Sequence, residues 1–269
     1  MSSSLNNELE KRIISVAVAL PLFLLLILLH PLSFIAVFIF LSGVSMIELA
    51  RMYFSKQEQI VAIGLSLALL GWFYFSWWFL EQSFPFLGWY LGFLILIVWI
   101  ITQPQIPLEK MVFLFTGWWF CIIFPFFWVK TGFLSGRKTV IFLAFLVWLN
   151  DIFAYFLGKK WGRHKVVPNI SPGKSWEGLL GGLIIAAFFG GVFANFNLIP
   201  FSPFLGFLCG FLLGLVGFLG DIFESSLKRR VKLKDSGNFL PGHGGVLDRF
   251  DSFFTVGPLV FILGTMWGG

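Results

Sequence analysis

The sequence contains a long apolar run, PFLGFLCGFLLGLVGFLGDI, at residues 203–222. Its only charged side chain is Asp221, and its length matches the roughly 20 apolar residues that a transmembrane helix needs. The segment that follows, FESSLKRR at residues 223–230, is by contrast rich in charge. An apolar run that ends in such a segment is typical of a membrane span whose end reaches water, and we interpret the rest of the chain from this pattern.

The composition extends this interpretation to the whole chain. Hydrophobic residues make up 58% of the 269 residues and charged residues only 12%, whereas a soluble domain carries about 25% charged residues. Such a chain cannot cover its surface with polar groups, so lipid must be its solvent. The two cysteines, Cys121 and Cys209, lie inside apolar runs, and we interpret them as packing residues rather than a disulfide.

Apolar runs separated by charged residues, proline or glycine predict an all-α polytopic membrane protein of about nine transmembrane helices. The first run follows Lys11 and Arg12, but Pro21 interrupts it and no small-x-small cleavage site follows. We therefore expect a retained span rather than a signal peptide. The predicted spans lie at about residues 13–29, 32–50, 60–80, 84–101, 111–129, 139–157, 178–199, 203–222 and 252–267.

The positions of lysine and arginine predict the orientation of these spans. With nine spans and a cytosolic N-terminus, sixteen of the nineteen basic residues fall on the cytosolic side. The three exceptions, Lys130, Arg137 and Lys138, share one loop. An even number of spans would break this bias. The same arrangement predicts that the two longest polar segments, about residues 158–177 and 223–251, lie at the cytosolic face.

Acidic residues concentrate in the second half of the chain. Seven of the thirteen lie between Asp151 and Asp251, both included. We therefore predict two regions of different role. Residues 1–137 would form a scaffold of membrane helices, and residues 138–269 would form the catalytic region with its cytosolic loops.

A first polar group lies inside the sixth predicted span, where Asn150 and Asp151 follow Trp148 and precede Tyr155. A carboxylate within a membrane span is costly and normally faces the interior of a bundle or a watery cavity. The group therefore indicates a functional site. The alternative is an aspartate near a helix end that reaches water beside Lys159.

A second group, SPGKSWEG at residues 171–178, precedes the seventh predicted span. Ser171 followed by Pro172 predicts a helix start, with the serine as N-cap and the proline at the first helical position. A helix N-terminus with Lys174 and two hydroxyl groups nearby suits phosphate oxygens. The alternative is that Ser171 only caps the helix and Lys174 only marks the cytosolic side. The glycine spacing does not fit a Walker-type loop, and we expect no strand before the segment.

The third group begins at the end of the eighth predicted span, where Asp221, Glu224, Ser225 and Lys228 recur at helical spacing. On a helix these four side chains share one face. Contact with lipid would desolvate two carboxylates and a lysine, which is costly. We therefore expect this face to line a polar cavity.

Two more carboxylates, Asp248 and Asp251, lie three residues apart where the ninth span begins. Carboxylates without a set of cysteine or histidine partners favour a hard divalent cation, with Mg²⁺ as the first candidate, and His243 alone is a poor ligand. Neighbouring basic residues would then bind anionic oxygens, Arg249 through two hydrogen bonds. Such a site fits nucleotidyl or phosphoryl transfer. The alternative, a positive-inside loop with a few solvated acids, does not explain two acid pairs at helical spacing.

The residues around these acids resemble a known family. The segments SSLKR at 225–229, KDSG at 234–237 and LPGHGGVLDRFD at 240–251 closely match the signature of the phosphatidate cytidylyltransferases, also called CDP-diacylglycerol synthases. WLNDIFAYFLG at 148–158 and the SPGKSWEG segment are also similar to that family, although Gly173 and Ser175 replace the lysine and threonine often found there. Ser175 keeps a hydroxyl group, whereas Gly173 loses a charge.

The resemblance implies a Mg²⁺-dependent nucleotidyltransferase of phospholipid biosynthesis in the cell (inner) membrane, with its site facing the cytosol. It would transfer CMP from CTP to phosphatidic acid and give CDP-diacylglycerol and diphosphate. A second cation would be compatible with the site. The resemblance also implies a homodimer in the lipid bilayer, with dimer contacts in the scaffold region, and no nucleic-acid partner.

The resemblance further implies roles for individual residues, with the phosphatidate oxygen attacking the α-phosphorus of CTP directly and in line. The expected metal ligands are the carboxylates Asp221, Glu224, Asp248 and Asp251. The expected catalytic residues are Asp221, Asp248, Lys228, Arg249 and Asp251, of which the two basic ones would bind phosphates. The expected substrate-binding residues are Asn150, Asp151, Ser171, Lys174, Ser175, Glu177, Ser225, Arg229, Lys234, Asp235 and His243.

Other membrane functions fit the sequence less well. A polyprenyl-phosphate sugar transferase would also carry acids on cytosolic loops. A lipid-alcohol phosphotransferase would carry an Asp-Gly-x2-Ala-Arg pattern, which this sequence lacks. An ion transporter would use Asp151 and Asp221 to line a path, but the acids gather at one face and the two halves lack a repeated broken-helix pattern.

Overall fold

The computed structural model describes residues 19–79, 90, 93–95, 97–99, 101–102, 107–237, 239 and 244–267. Apart from one small hairpin and the connecting turns, these residues are helical. The helices are α1 (Ala19–Leu29), α2 (Pro31–Tyr53), α3 (Lys56–Phe79), α4 (Leu108–Trp118), α5 (Phe124–Leu134), α6 (Arg137–Trp161), α7 (Trp176–Asn195), α8 (Pro203–Arg230) and α9 (Leu247–Trp267). A π-helical turn, Trp119–Ile123, joins α4 to α5, and all of its residues except Trp119 are buried. The hairpin pairs strand β1 (Lys165–Val167) with strand β2 (Ser171–Ser175).

Six helices among the described residues are long and apolar enough to cross a membrane. They are α2, α3, the continuous helix from α4 to α5, then α6, α7 and α8, and each overlaps one predicted span. The prediction of an all-helical polytopic membrane protein is therefore confirmed. Predicted span 84–101 and the beginning of span 13–29 lie largely outside the described residues, and span 252–267 lies within α9. The number nine and the orientation stay predictions.

The described residues group into two compact units. The first joins the residues up to Phe38 with those from Phe124 onward, and Ile39–Ile123 form the second. Every described residue that the sequence predicts in the site belongs to the first unit. The predicted division between residues 137 and 138 concerns function rather than packing and stays a prediction.

Glycines allow α7 and α8 to approach each other closely. A Cβ atom on Gly190 would overlap the carbonyl oxygen of Gly206, and a Cβ atom on Gly206 would lie 2.6 Å from the Cβ of Ala194. Lipid removes the hydrophobic drive for helix association, so helices in a membrane associate through such close van der Waals packing. The contact holds α8 against α7. Helix α8 carries the charged stripe, which we define as Asp221, Glu224, Ser225 and Lys228.

An aromatic contact fixes α9 in the same unit. The indole Nε1 of Trp128 on α5 donates a hydrogen bond to the carbonyl of Phe253 at 2.7 Å. The two rings also stack, with centroids 4.2 Å apart. Because Phe253 follows Asp248 by five residues and Asp251 by two on the same helix, this contact sets the position of the acidic start of α9.

The close packing of α7 and α8 makes a testable prediction. Gly206→Ala should destabilise the protein by about 1–3 kcal/mol, because the added methyl group overpacks the helix contact. Thermal unfolding in detergent measures the effect. The matched control is Gly71→Ala, since nothing lies within 4 Å of a Cβ atom there. The control should keep or slightly raise the unfolding temperature, and equal temperatures for the two variants would contradict the packing argument.

Candidate active site

A cavity of about 550 Å³ lies where α6, the hairpin, α7 and α8 meet in the first unit. Its volume falls within the roughly 300–1,000 Å³ that small-molecule sites occupy. Charged, hydroxyl-bearing and apolar side chains share its wall. The lining residues are Asp151, Ala154, Tyr155, Gly158, Lys159, Gly162, Lys165, Ser171, Gly173, Lys174, Ser175, Leu179, Phe218 and Asp221.

Helix α6 contributes one face to this cavity. Asp151, Tyr155, Gly158 and Lys159 recur at intervals of three and four residues, which places them on the same side of a helix. Asp151 and Lys159 are separated along the axis by about 12 Å, from the rise of 1.5 Å per residue. The cavity wall on α6 therefore has an acidic end and a basic end.

The hairpin corrects the predicted helix start. Ser171 lies in β2, and Ser175 caps α7 instead, accepting a hydrogen bond from the backbone N–H of Gly178 at 3.2 Å. The prediction of Ser171 as N-cap with Pro172 at the first helical position was wrong, and so was the expectation that no strand precedes the segment. The pairing of β1 with β2 keeps the chain extended as far as Ser175, and a two-stranded sheet tolerates Pro172 because both strands are edges.

Lys174 and Asp221 meet inside the cavity. Their side chains come from β2 and α8, and the Lys174 Nζ lies 2.7 Å from an Asp221 carboxylate oxygen. The Lys174 ammonium also lies 4.5 Å from the centre of the Phe218 ring, a cation–π contact that holds its stem. The Ser225 hydroxyl donates to the other Asp221 oxygen at 3.3 Å. The structure thus brings together three residues that the sequence predicts in the site.

Asn150 is buried behind the cavity rather than in its wall. Its Nδ2 donates to Asp151 Oδ1 at 3.2 Å and to the carbonyl of Gly214 at 3.4 Å. A Cβ atom on Gly182 or on Gly214 would lie within 3.0 Å of the Asn150 amide oxygen, at 2.9 and 2.7 Å. The two glycines therefore make room for an amide that orients the Asp151 carboxylate toward the cavity.

Glu224, the second acid on the same face of α8, belongs to a separate, interior cluster with Lys228 and Asp248. Lys228 Nζ lies 2.6 Å from a carboxylate oxygen of Glu224 and 2.6 Å from one of Asp248. The side chain of Lys228 is 10% exposed, that of Glu224 is 1% and that of Asp248 is 7%. The predicted phosphate-binding lysine is therefore engaged by two of the predicted metal ligands, away from the cavity wall.

Asp248 also holds the polar segment between α8 and α9. Its carboxylate accepts hydrogen bonds from the backbone N–H of Ser236 at 2.9 Å and of Gly245 at 2.8 Å. Burial by itself would raise the pKa of Asp248, but the Lys228 ammonium and these N–H groups outweigh it and lower the pKa. Gly244 has φ of +85°, and a Cβ atom there would lie 2.8 Å from Asp248 Oδ2, so this turn requires glycine.

Asp251 is buried and accepts a hydrogen bond from the Ser252 backbone N–H at 2.7 Å. Within the described residues, no three or more Asp, Glu, His or Cys side chains are arranged to hold a metal ion. Of the four predicted metal ligands, Asp221 alone lines the cavity. The four-carboxylate metal site stays a prediction, and the structure divides its members between the cavity and the interior.

Several other predicted residues support the walls of the site. Glu177 accepts hydrogen bonds from the backbone N–H groups of Arg163 and His164, each at 3.2 Å, and contacts the His164 ring nitrogen at 2.6 Å. Arg229 donates to the carbonyls of Ile170 at 3.1 Å and Leu233 at 2.6 Å. Both side chains hold the hairpin and its neighbouring segments in place.

The last predicted residues come from the polar segment between α8 and α9 and from the first turn of α9. Lys234, Asp235 and Arg249 are exposed and do not line the cavity. His243 lies outside the described residues. Sequence reasoning missed Lys159 and Lys165 as site residues, because it treated them only as markers of membrane orientation. The helical spacing of Lys159 from Asp151 was the available signal.

Comparisons with known proteins cover most of the chain. The model of a cytidylyltransferase family matches residues 10–267. A phosphatidate cytidylyltransferase of Bacillus subtilis is 46% identical over 118 residues, 44% of each chain. One of Staphylococcus haemolyticus is 50% identical over 124 residues, 45% of this chain and 46% of the relative. Escherichia coli uncharacterized protein YnbB is 46% identical over 112 residues, 42% of this chain and 37% of that protein. The chain thus spans slightly less than half the length of the curated relatives it matches.

The interior cluster makes a prediction about stability. Lys228→Met should destabilise the protein by about 3–5 kcal/mol, because it leaves two buried carboxylates without their cation. Thermal unfolding in detergent measures the loss. Lys234→Met removes an exposed lysine and should leave the unfolding temperature unchanged.

A second variant separates lost charge pairing from lost packing. Adding Glu224→Gln to Lys228→Met removes one of the two unpaired charges and should recover part of the lost stability. An unfolding temperature for Lys228→Met equal to that of Lys234→Met would contradict the role of Lys228 as an interior counter-charge.

Proposed function

Because this chain belongs to the cytidylyltransferase family, we propose that it is a phosphatidate cytidylyltransferase, which transfers CMP from CTP to phosphatidic acid and releases diphosphate. The relatives from Bacillus subtilis and Staphylococcus haemolyticus carry that name. The observation that carries the proposal is the 2.7 Å ion pair of Lys174 and Asp221 in a cavity that Asp151 also lines. It supports the proposal because an ammonium group suited to phosphate and a carboxylate suited to a cation lie side by side, as nucleotidyl transfer requires.

The position of the cavity suits one lipid substrate and one water-soluble substrate. The acyl chains of phosphatidic acid must stay in the bilayer while its phosphate meets the nucleotide, so the site belongs at the membrane surface. The cavity lies where the apolar helices α6 and α8 meet a polar hairpin. Its wall combines Ala154, Leu179 and Phe218 with charged residues, which supports a ligand that has both an apolar and an anionic part.

The donor groups at the cavity fit Mg²⁺. Its lining residues, all from the described part of the chain, supply carboxylate and hydroxyl oxygens but neither cysteine nor histidine. Mg²⁺ is usually held by one or two carboxylates together with substrate phosphates, and the Lys174 ammonium at Asp221 indicates that this carboxylate accepts a positive charge. We infer that Asp221 and Asp151 would hold the ion. When bound, Mg²⁺ would offset the negative charge of the phosphates.

The chemistry requires little proton transfer. A phosphatidate oxygen attacks the α-phosphorus of CTP, a new P–O bond forms, and the bond to the β-phosphate oxygen breaks as diphosphate leaves. A phosphate monoester is largely ionised at pH 7, since its second pKa is about 6, so no strong general base is needed. The protein's contribution is to align the two substrates and to offset their charges.

Lys174 is the basic residue best placed to act on the phosphates. Its side chain is 13% exposed and lies against Phe218, so it has little freedom to leave the cavity. If a cation were bound at Asp221, the Lys174 ammonium would have to share the carboxylate with it. The ammonium could then turn toward phosphate oxygens. Lys228 is held by Glu224 and Asp248, and we assign it a structural role.

The proposed membrane location, orientation and assembly of the enzyme rest on the sequence and on the family resemblance. We propose a multi-pass protein of the cell (inner) membrane with its site toward the cytosol, because sixteen of its nineteen basic residues then lie on that side. A second cation and a homodimer are proposed from the resemblance.

A direct assay tests the proposed reaction. Purified protein in detergent should release diphosphate from CTP only when phosphatidic acid and Mg²⁺ are both present. Replacing these substrates with a UDP-sugar and a polyprenyl phosphate should give no turnover. Turnover of the UDP-sugar with polyprenyl phosphate would overturn the proposal. The absence of turnover with CTP and phosphatidic acid in a folded preparation would also overturn it.

Removal of one carboxylate at the cavity makes a second prediction. Asp221→Asn should lower kcat by at least about a hundredfold, because the variant loses the negative charge that holds the cation. Glu109→Gln, an exposed carboxylate in the other unit, should retain normal kcat. Near-normal activity of Asp221→Asn would exclude Asp221 as a metal ligand.

Metal removal gives a third prediction about the proposed reaction. A chelator should abolish turnover, and added Mg²⁺ should restore it. The unfolding temperature should change little on chelation, since Lys174 offsets the charge of Asp221 when no metal is bound. Turnover that persists in metal-free protein would rule out the cation.

A further inference from the structure

The basic end of the cavity has no assigned role in the proposed reaction. Lys159 lies near the C-terminus of α6, and Lys165 begins β1. Both side chains are exposed and both line the same cavity as Asp151 and Asp221. Resting on the proposed function, we propose that Lys159 and Lys165 bind the diphosphate end of the nucleoside triphosphate, which becomes the leaving group.

The charges around the cavity support an anion at this end. Lys174 is neutralised by Asp221 at 2.7 Å, whereas neither Lys159 nor Lys165 forms an ion pair with a carboxylate in the part of the chain that the structure describes. Among the described residues, two positive charges at one end of the cavity therefore lack an ion-pair partner. A diphosphate group carries several negative charges and many acceptor oxygens, which is the ligand chemistry that two such ammonium groups favour.

The geometry of the cavity favours the leaving group over the lipid phosphate at these lysines. In an in-line displacement the attacking and leaving oxygens lie on opposite sides of the α-phosphorus. Asp151 and Lys159 are separated along α6 by about 12 Å, so a nucleotide with its α-phosphorus near Asp221 and Asp151 can extend its diphosphate toward Lys159. Lys165 lies in the hairpin, outside the six apolar helices, a position that suits a water-soluble ligand better than a lipid.

A purely structural role for Lys159 predicts a different pattern. Lysines in the last turn of a helix stabilise it by offsetting the helix dipole. Lys160 lies in the same last turn and contacts the Trp161 ring, with its ammonium 4.7 Å from the ring centre, but it does not line the cavity. Lys160 is therefore a matched control that shares the dipole effect and lacks the proposed contact.

Binding of inorganic diphosphate tests the proposal without turnover. Isothermal titration calorimetry of the full chain in detergent should show that Lys159→Met and Lys165→Met each weaken diphosphate binding by about tenfold or more, which corresponds to the loss of one charge-assisted contact. Lys160→Met should stay within about twofold of the unchanged protein. Lys159→Arg and Lys165→Arg keep the charge and should retain most of the binding. Equal binding by the three methionine variants would overturn the proposal.

Steady-state kinetics then distinguish the two phosphate sources. The Lys159 and Lys165 variants should raise the KM for CTP by about tenfold and weaken product inhibition by diphosphate, with the KM for phosphatidic acid unchanged. A rise confined to the KM for phosphatidic acid would instead assign the lysines to the lipid phosphate and overturn the proposal. If the protein binds diphosphate through these lysines but shows no turnover with CTP and phosphatidic acid, the proposed function fails while the diphosphate site stands.

Discussion

A charge inside a bundle of apolar helices must be paired, and one buried lysine meets this requirement for two carboxylates. Lys228 lies within 2.6 Å of both Glu224 and Asp248, and all three side chains are nearly inaccessible. Removing two such acids from water is costly unless a cation lies between them. The pairing allows the charged end of α8 to pack against the start of α9. Asp248 in turn anchors the polar segment between these helices through Ser236 and Gly245.

This interior cluster leaves the chemistry to the neighbouring cavity. Asp221 lies three residues before Glu224 on α8, but it pairs with Lys174 from the hairpin and lines a space of about 550 Å³. The same helix therefore carries one carboxylate that contacts the cavity and one that stabilises the bundle. Asn150 performs a similar supporting task for Asp151, since its buried amide donates to that carboxylate. Their spacing in the sequence suggests a single group of polar residues. In the structure, some of them contact the cavity and the others lie in the interior of the bundle.

Hydropathy and helical spacing predicted much of this arrangement. The apolar runs located six membrane-spanning helices among the described residues, and the stripe from Asp221 to Lys228 indeed lies on one helix, α8. Spacing could not tell which side chains of the stripe face the cavity, because that depends on the partners that Lys228 finds on α9. The N-cap preference of Ser171 predicted a start of α7 four residues too early. The pairing of two short strands overrides that preference. Lys159 was overlooked because a basic residue at a helix end is normally explained by orientation alone.

The central claim is that nucleotide chemistry occurs at the cavity rather than at the interior cluster. The most direct measurement is an experimental structure of the protein with Mg²⁺ and a non-hydrolysable CTP analogue. We expect the triphosphate to lie between Asp221 and the basic end of the cavity, with Lys228 still bridging Glu224 and Asp248. A triphosphate bound to Lys228, with that lysine withdrawn from Glu224 and Asp248, would show that the chemistry occurs at the interior cluster instead.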